Sequence, residues 1–302
     1  MVIRGIFCLL VAFSLFGSGC RSAVETKSSI TERPVRVVTD DLGRRVSLPV
    51  RIDRIVSLAP SVTENVFAAG AGDRLVGVTT YCNYPEQAKS IAKVGDTMSP
   101  NMETIVALRP DVVLVSTASQ IEAFTRTLEG NGIAVYVTDP KTLEDVFKSV
   151  ETFGHLFGTE DQAERLLPNL ESRTEAVSNS AERAPRTKVL IQVSREPLFT
   201  IGKGAFLNDL ITRAGGESVT ANVETSFPKL SKETASALEP EVIILSDSED
   251  NQEPNEAFKN SPAVKNGRVY KINADIISRP GPRLVDALEQ IAKFLHPEES
   301  KN

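Results

Sequence analysis

The sequence contains few of the side chains on which enzymes and metal sites most often depend. It has only two histidines, His155 and His296, and neither has a Cys, Asp or His neighbour at the spacing of metal ligands. No zinc-binding pattern of Cys and His is present, and the Gly-x-Ser-x-Gly turn of serine hydrolases is absent. Residues 201–204 (IGKG) place a lysine between glycines but lack the order of a phosphate-binding loop. We therefore expect no catalytic centre and no metal site.

Acidic residues outnumber basic ones, and tryptophan is missing altogether. The formal net charge is −6 at pH 7, and no dense run of Lys and Arg occurs. Because phosphate contacts need clustered basic side chains, nucleic acid is not an expected partner. What the chain does have is an ordinary composition of 41% hydrophobic and 25% charged residues. Such values are typical of a soluble globular protein with an adequate core.

The first twenty residues are typical of an export signal rather than of a folded domain. Arg4 supplies positive charge, and residues 5–16 are mostly apolar but too few to span a membrane. Residues 17–19 (GSG) precede Cys20 and resemble the cleavage box of a bacterial lipoprotein, although Leu is usual where Gly17 stands. We expect Cys20 to be lipidated and residues 21–34 to form a flexible polar tether. A plain secretory signal cut nearby is the alternative.

Cysteine is nearly absent from the rest of the chain. Cys8 lies within the expected signal and Cys20 at its end, so Cys82 is the single thiol expected in the folded part. An intramolecular disulfide is therefore excluded in the mature chain, and Cys82 is expected to be buried or shielded.

One stretch of the sequence occurs twice. Residues 103–116 (ETIVALRPDVVLVS) and residues 233–246 (ETASALEPEVIILS) are identical at seven of fourteen positions. In each copy a short helix is expected to end before the proline, because the residue before Pro avoids the helical region. An acidic turn follows, and then an apolar run typical of a strand buried on both faces in a parallel sheet. The duplication predicts two similar α/β lobes.

Strands and helices alternate around the two copies, which predicts mainly parallel sheets. In an N-terminal α/β lobe of residues 35–141, we expect a hairpin at 35–49, strands at 54–58, 75–79 and 133–137, and helices at 60–69, capped by Ser61 or Thr63, and at 120–129. In a C-terminal α/β lobe of residues 187–298, we expect strands at 188–194 and 268–272, a glycine-rich turn at 199–204, and helices at 205–214, 255–260 and 284–295.

The segment between the lobes, residues 142–186, has a different pattern. It contains no β-branched run, and its apolar residues recur at helical spacing. We expect one helix, a short break at Gly158 and a long helix beginning near Thr159, with Pro168 placed awkwardly inside it. A helical segment of this length between two Rossmann-like α/β lobes would act as a stiff backbone rather than as a hinge.

The loops at the expected strand ends carry aromatic and polar side chains. In open α/β sheets ligands bind outside the carboxyl ends of the strands, so these loops are the expected lining of a cleft. A loop Tyr or Phe can equally pack locally, and Arg279 can equally pair with a neighbouring carboxylate. The residues are Tyr81, Tyr84, Thr97, Met98, Ser116, Thr117, Arg195, Phe227, Asp275 and Arg279.

Several segments carry a resemblance to a known family. They are residues 57–64 (SLAPSVTE), 70–85 (GAGDRLVGVTTYCNYP), 103–116, 199–204 (FTIGKG), 214–216 (AGG) and 278–283 (SRPGPR). In this order they resemble the substrate-binding proteins of ABC importers for vitamin B12, ferric siderophores and haem, over residues 35–297. The resemblance implies a class III periplasmic binding protein, with two α/β lobes joined by a single long backbone helix and little closure on binding.

Within this family, the cobalamin-binding proteins resemble the chain most. Their Tyr-rich loop is similar to residues 80–85 (TYCNYP), and Asp275 matches one of their polar contact residues. In this family, two glutamates, one on each lobe, contact arginines of the permease, and they correspond to Glu103 and Glu233 here. The alternative is that each glutamate only stabilises its helix, because a negative charge in the first turn interacts favourably with the helix dipole. Strand-end position and resemblance together suggest eight ligand-binding residues, which are Tyr81, Tyr84, Thr97, Ser116, Arg195, Phe227, Asp275 and Arg279.

The missing tryptophans are the main departure from the cobalamin-binding sub-group. Its members line the cleft with tryptophans, whereas Thr97 and Ser116 stand where two of them are expected and Phe227 replaces a third. Two other ligand classes therefore stay open. Anionic ferric siderophores would be bound by the guanidinium groups of Arg195 and Arg279. Haem would need an axial ligand, for which Tyr81 or Tyr84 is available.

The expected function is that of an extracytoplasmic solute-binding lipoprotein. It would lie at the cell envelope as a monomer, capture cobalamin or a related corrinoid or iron chelate, and deliver it to an ABC permease dimer without covalent chemistry. There are two rival hypotheses. One is an exported enzyme that acts on a small ligand in the same cleft, and the other is a module that senses the ligand for a signalling partner.

Overall fold

The computed structural model describes residues 34–117 and 121–297. The predicted signal segment, Cys20 and the tether up to residue 33 lie outside the described residues. The described chain alternates strands and helices in an α/β fold, with one mainly parallel sheet in each half. None of the helices in the described ranges is both long and apolar enough to cross a bilayer.

The N-terminal lobe contains a hairpin and a four-stranded sheet. Its elements are β1 (Val35–Thr39), β2 (Arg45–Pro49), β3 (Ile55–Ser57), α1 (Pro60–Ala68), β4 (Leu75–Val78), α2 (Met102–Ala107), β5 (Val112–Ser116), α3 (Ile121–Gly130) and β6 (Ala134–Thr138). Strands β1 and β2 pair antiparallel, as predicted, and Gly43 takes a φ of +76° in their turn, where glycine is favoured. The sheet has the order β4-β3-β5-β6 with every pairing parallel.

Two helices follow, α4 (Leu143–Phe157) and α5 (Glu160–Ala181). Thr142 begins α4 with a capping box, in which its hydroxyl accepts the Asp145 N–H and the Asp145 carboxylate accepts the Thr142 N–H. Gly158 ends α4 in the left-handed region with a φ of +66°. The 22 residues of α5 form the predicted long helix, which includes Pro168.

Helices α4 and α5 each contribute to the cores of both lobes. The start of α4 places Leu143 and Val146 in the C-terminal core, whereas Phe153 near its end lies in the N-terminal core. Along α5 the order is reversed, with Ala163 in the N-terminal core and Leu170 in the C-terminal core. Because protein cores are close-packed, a relative movement of the lobes would have to disturb these shared contacts. The packing therefore supports the prediction of a stiff connection.

The C-terminal lobe repeats the α/β pattern. Its elements are β7 (Thr187–Ser194), β8 (Phe199–Thr200), α6 (Leu207–Arg213), β9 (Gly216–Ser218), α7 (Lys232–Ala237), β10 (Val242–Asp247), α8 (Pro262–Lys265), β11 (Val269–Asn273), α9 (Ala274–Ile277) and α10 (Leu284–Leu295). Strands β11, β10, β7 and β9 pair parallel in that order, and β8 pairs antiparallel with β7. The short strands β8 and β9 were not predicted, because two or three residues carry too little alternation to be recognised.

The acidic position of the repeated stretch has the same structural role in each lobe. Asp111 Oδ2 accepts the backbone N–H groups of Asp53 and Arg54 at 2.8 and 2.9 Å, just before β3. Glu241 Oε2 accepts the backbone N–H of Lys188 at 2.8 Å, at the start of β7. Both carboxylates therefore join the turn that precedes one strand to the beginning of its neighbour. The duplicated sequence thus corresponds to the same carboxylate-to-backbone contact between neighbouring strands in each lobe.

Two local predictions were wrong. Neither Ser61 nor Thr63 caps α1, because Pro60 occupies the first helical turn and Ala59 precedes it without a side-chain cap. Thr63 instead bonds to the Ser57 hydroxyl at 2.9 Å. The helix expected at 255–260 is only a 3₁₀ turn at Glu256–Phe258, and the proline at residue 262 begins the separate α8.

Candidate functional site

An open cleft of about 750 Å³ lies between the loops of the two lobes. The N-terminal lobe supplies the turn before α1, the loop after β4 and the loops after β5 and β6, and the C-terminal lobe supplies the start of α6, the loop before α7 and the α9 region. Since most of these loops follow parallel strands, the cleft lies at the edge where α/β sheets bind ligands. Its lining is residues 59–61, 81, 97, 116–117, 139–141, 204–206, 226–227, 275 and 278–280.

Six of the eight predicted ligand-binding residues line this cleft. Ser116 ends β5 and is nearly buried, whereas the rings of Tyr81 and Phe227 are 60% and 49% exposed. Two exposed rings on opposite lobes offer apolar surfaces on which a flat ligand could stack. The six are Tyr81, Thr97, Ser116, Phe227, Asp275 and Arg279.

The other two predicted residues lie outside the lining of the cleft. The Tyr84 ring is covered by the guanidinium of Arg283, 4.1 Å from its centroid, and borders a second cavity. Arg195 pairs with Glu253 and Glu256 of its own lobe, at 3.3 and 3.8 Å. The structure therefore does not bring Tyr84 or Arg195 together with the six.

Arg279 is held in the cleft wall by groups from both lobes. Its Nη1 donates to Glu64 Oε1 at 3.2 Å and to Asn83 Oδ1 at 2.7 Å. Its Nη2 donates to the Tyr81 carbonyl at 3.3 Å and also to Asp275 Oδ1. The second interpretation of Arg279, pairing with a carboxylate, is thus the one that the structure shows, and the N–H groups of both terminal nitrogens are engaged.

Glu64, which the sequence analysis did not single out, is the partner that Arg279 and Arg283 share. It lies on α1 and is only 3% exposed. Arg283 donates to it through Nε at 2.9 Å and Nη2 at 2.6 Å. Burial lowers the pKa of Arg283, but the hydrogen bonds and charge of Glu64 outweigh burial and raise that pKa above its ordinary value. The available sequence signal was that Glu64 is the single charged residue of the helix PSVTENVFA.

The second cation of the cleft is also paired. Lys141 Nζ lies 2.6 Å from Asp139 Oδ1, and the same carboxylate oxygen accepts the hydroxyl of Thr117. The described lining therefore contains Arg279 and Lys141 as cations and Asp139 and Asp275 as anions, so its formal charges balance.

Histidine and cysteine, which most often carry out acid–base or metal chemistry, are absent from the described lining of the cleft. Among the residues that the structure describes, no cluster of three or more His, Cys, Asp or Glu could hold a metal ion. His155 faces Glu160 at 3.5 Å, and His296 contacts the Ala214 carbonyl at 3.0 Å. The thiol of Cys82 is buried against the hydroxyls of Thr63 and Thr79, at 3.2 and 3.1 Å. The prediction of a shielded Cys82 is therefore confirmed.

The two predicted docking glutamates occupy equivalent, exposed positions on the two lobes. Glu103 lies in the first turn of α2 and Glu233 in the first turn of α7. Each helix has a side-chain cap, from Asn101 in the first and Ser231 in the second. Backbone and Ser231 hydrogen bonds lower the pKa of Glu233, so its carboxylate is charged near neutral pH. Both glutamates thus present their carboxylates to solvent.

Comparison with known proteins places this architecture among extracytoplasmic binding proteins. The family model described as periplasmic binding protein matches residues 55–276. An uncharacterized ABC transporter substrate-binding lipoprotein, YvrC of Bacillus subtilis, is 31% identical over 98% of this chain and 98% of its own length.

Two proteins of known structure share the fold. The vitamin B12-binding protein of Vibrio cholerae is 29% identical over 82% of this chain and 90% of its own. The crystal structure of the periplasmic vitamin B12-binding protein BtuF of that organism superposes with a TM-score of 0.73 at 28% identity, covering 82% of this chain and 98% of its own. The periplasmic haem-binding protein RhuT of Roseiflexus sp. RS-1 superposes with a TM-score of 0.72, covering 82% of this chain and 98% of its own. At 24% identity, RhuT supports the fold alone.

Proposed function

This chain belongs to the periplasmic binding protein family as the substrate-binding protein of an ABC transporter, and we propose that its cleft receives a corrinoid of the cobalamin class. Substrate-binding proteins of this kind bind small ligands and work with a permease. A related protein of Vibrio cholerae binds vitamin B12 and shares both the fold and 28% sequence identity. The choice of a corrinoid rests on the charge of the cleft.

The pairing of both cleft cations is the single observation that favours a neutral ligand. Arg279 is neutralised by Glu64 and Asp275, and Lys141 by Asp139. An anionic siderophore or the propionates of haem would have to compete with carboxylates that are already in place, and would leave those carboxylates without a partner. Cyanocobalamin has no net charge and carries amides around its ring, so it can bond to polar side chains without displacing an ion pair.

By resemblance, Phe227 stands where the cobalamin-binding proteins are expected to carry a tryptophan, and Tyr81 belongs to the segment that is similar to their Tyr-rich loop. Tyr81 and Phe227 would contact the faces or edges of the corrin ring, and Thr97 and Ser116 would bond to its amides. Haem is the second candidate, because Tyr81 lines the cleft and is available as an axial ligand, whereas Tyr84 lies outside it.

Calorimetric titration of the purified protein tests this proposal. Cyanocobalamin is expected to bind one to one, and haemin and an anionic ferric siderophore are expected to bind more weakly. Tight binding of haemin or a siderophore in place of cyanocobalamin would keep the transport function and change the ligand. Release of a chemically altered ligand from the complex would instead support an enzyme, against the proposed absence of catalysis.

For delivery, we propose that Glu103 and Glu233 meet cationic groups of the permease. Their equivalent, exposed positions on the two lobes suit a permease with two similar halves. The proposed cellular place is the cell envelope, in the periplasm or at the outer face of the cytoplasmic membrane, with Cys20 lipidated, residues 21–34 as tether and the chain acting as a monomer.

Charge reversal separates docking from ligand binding. The variants Glu103→Lys and Glu233→Lys are expected to reduce uptake, most strongly in combination, with ligand affinity unchanged because neither residue lines the cleft. Glu129→Lys, an exposed reversal on α3, is the control. If uptake persists at the wild-type rate in the double variant, docking through these glutamates is wrong.

A further inference from the structure

Glu64 stands between the cleft and a second cavity of about 370 Å³. Its partner Arg279 lines the cleft, whereas its other partner, Arg283, lines the second cavity together with Tyr84. Glu64 itself lines the second cavity and is not among the residues that line the cleft. The carboxylate therefore acts on the cleft through Arg279 and not by touching a ligand there.

The cluster around Glu64 is electrically balanced. Two carboxylates, Glu64 and Asp275, face two guanidinium groups, Arg279 and Arg283. Three of these four side chains are more than four-fifths buried, and Asp275 is the exception on the cleft side. Loss of the Glu64 charge would leave one net positive charge in a poorly hydrated wall of the cleft, where charge interactions are much stronger than in water.

The surrounding chain holds Glu64 in this position. The carbonyl of Pro280 accepts the Asn65 amide at 3.3 Å, and a Cβ added to Gly281 would lie 3.4 Å from Glu64 Oε2. Arg283 Nη2 also donates to the Asp275 carbonyl at 3.1 Å. The segment that carries both arginines is thus fixed against α1, and Arg279 cannot turn freely toward a ligand.

We propose that Glu64 is a specificity-determining residue of this transporter protein: by neutralising and immobilising Arg279 and Arg283, it keeps anionic ligands out of the cleft. The proposal rests on the proposed function in one respect, that the cleft is the ligand site. It makes Glu64 a positioning residue, since it acts on the ligand only through Arg279. Replacing its charge should therefore change selectivity and not only affinity.

Matched pairs of probes measure this selectivity directly. Cyanocobalamin is compared with its monocarboxylic acid, in which one side-chain amide is a carboxylate, and haemin dimethyl ester is compared with haemin. Each probe is titrated against the full-length wild type and Glu64→Gln, which removes the charge and keeps the shape. The preference for the carboxylate form over its neutral partner is expected to rise about tenfold or more in Glu64→Gln, the scale of one desolvated charge contact. This gain should fall with added salt.

Two further variants separate charge from structural damage. Glu289→Gln makes the same change in another bidentate Arg–Glu pair, with Arg173, outside the cleft, and it should leave the preference unchanged. Adding Arg283→Gln to Glu64→Gln restores the charge balance of the cluster, and the gained preference should be largely lost. Thermal unfolding of each variant verifies that the protein is folded.

The outcomes distinguish this proposal from the proposed function. If the wild type binds neither corrinoid but Glu64→Gln gains preference for haemin over its ester, the ligand assignment fails and the role of Glu64 stands. An unchanged preference in both probe pairs, or an equal loss of affinity for both members of each pair, overturns the role of Glu64. That role is also overturned if neither Glu64→Gln nor the double variant binds any probe. If Glu64→Gln is obtained only unfolded, the single variant Arg283→Gln decides, and a rise in its preference for the carboxylate probes overturns the role of Glu64.

Discussion

Two clusters of arginine and carboxylates join the C-terminal part of the chain to the rest, and they differ in burial. In the cleft wall, Glu64 is nearly inaccessible and shares its oxygens between Arg279 and Arg283. On the outer side, Arg173 of α5 pairs with Asp286 and Glu289 of α10 at 2.6 and 2.8 Å, with about a third of each side chain or more exposed.

The chemistry of the two clusters is alike, so burial decides what each can do. When an exposed ion pair forms, each charge loses favourable hydration and gains a favourable partner, so the pair contributes little to the free energy of unfolding. A buried pair has lost its solvation already, so removing one member leaves a charge that nothing compensates. The inner cluster is therefore suited to control the electrostatics of the cleft, whereas the outer cluster can do little more than attach α10 to α5.

The largest expected effect on stability follows from removing the Glu64 carboxylate from the inner cluster. Glu64→Ala should lower the free energy of unfolding by about 3–5 kcal/mol, because it leaves Arg279 and Arg283 without their shared carboxylate. Arg173→Ala in the outer cluster should cost about 1 kcal/mol or less. Chemical denaturation of both variants measures the difference. Equal losses would show that burial does not separate the two clusters.

The acidic positions of the repeated stretch extend the comparison to the two lobes. Asp111 accepts two backbone N–H groups and Glu241 accepts one. Because Asp111 accepts two hydrogen bonds and Glu241 accepts one, Asp111→Ala should lower the free energy of unfolding by about 1–2 kcal/mol and Glu241→Ala by about half of that. Urea unfolding of both variants is the measurement, with Asp111→Asn and Glu241→Gln as conservative controls. A larger loss at Glu241 would contradict the assignment.

The smallest effect concerns the outer cluster and depends on pH. The hydrogen bond from Arg173 lowers the pKa of Glu289 below its ordinary value. The unfolded chain takes up this proton first as pH falls, so the contribution of Glu289 to stability is present above the ordinary Glu pKa of about 4.3 and is lost as pH falls through the lowered value. The stability difference between the wild type and Glu289→Gln, below about 1 kcal/mol at pH 7, should shrink on acidification and vanish once the Glu289 carboxylate is protonated in the folded protein. A difference that grows on acidification would contradict the pairing.

Much of the fold could be predicted from local pattern. The hairpin, the long helix after Gly158 and the final helix at residues 284–295 follow from short-range signals, namely a turn glycine, apolar spacing and capping residues. The duplicated stretch indicated the second lobe, because a buried strand gives an apolar run wherever it occurs. Predictions failed at β8, β9 and the turn at Glu256–Phe258, which are two or three residues long, since such short elements form only when a neighbouring strand or helix supports them.

The candidate site was predictable in outline only. Strand-end position and family resemblance placed six residues in the cleft, because the carboxyl ends of parallel strands meet at one edge. The same reasoning included Tyr84 and Arg195, which lie at loop positions of the right kind but have found partners outside the cleft. Position along a strand cannot tell which way a side chain will turn.

The sequence by itself determined the two α/β lobes, the helical connection and the shortage of catalytic groups, since these depend on residue types and their local order. Only the tertiary structure decided the charge of the cleft. Glu64 lies 215 residues from Arg279 and 219 from Arg283, and no local signal connects residues so far apart. Whether an arginine attracts an anionic ligand or is already neutralised depends on which carboxylate folding brings beside it, and that is a property of packing.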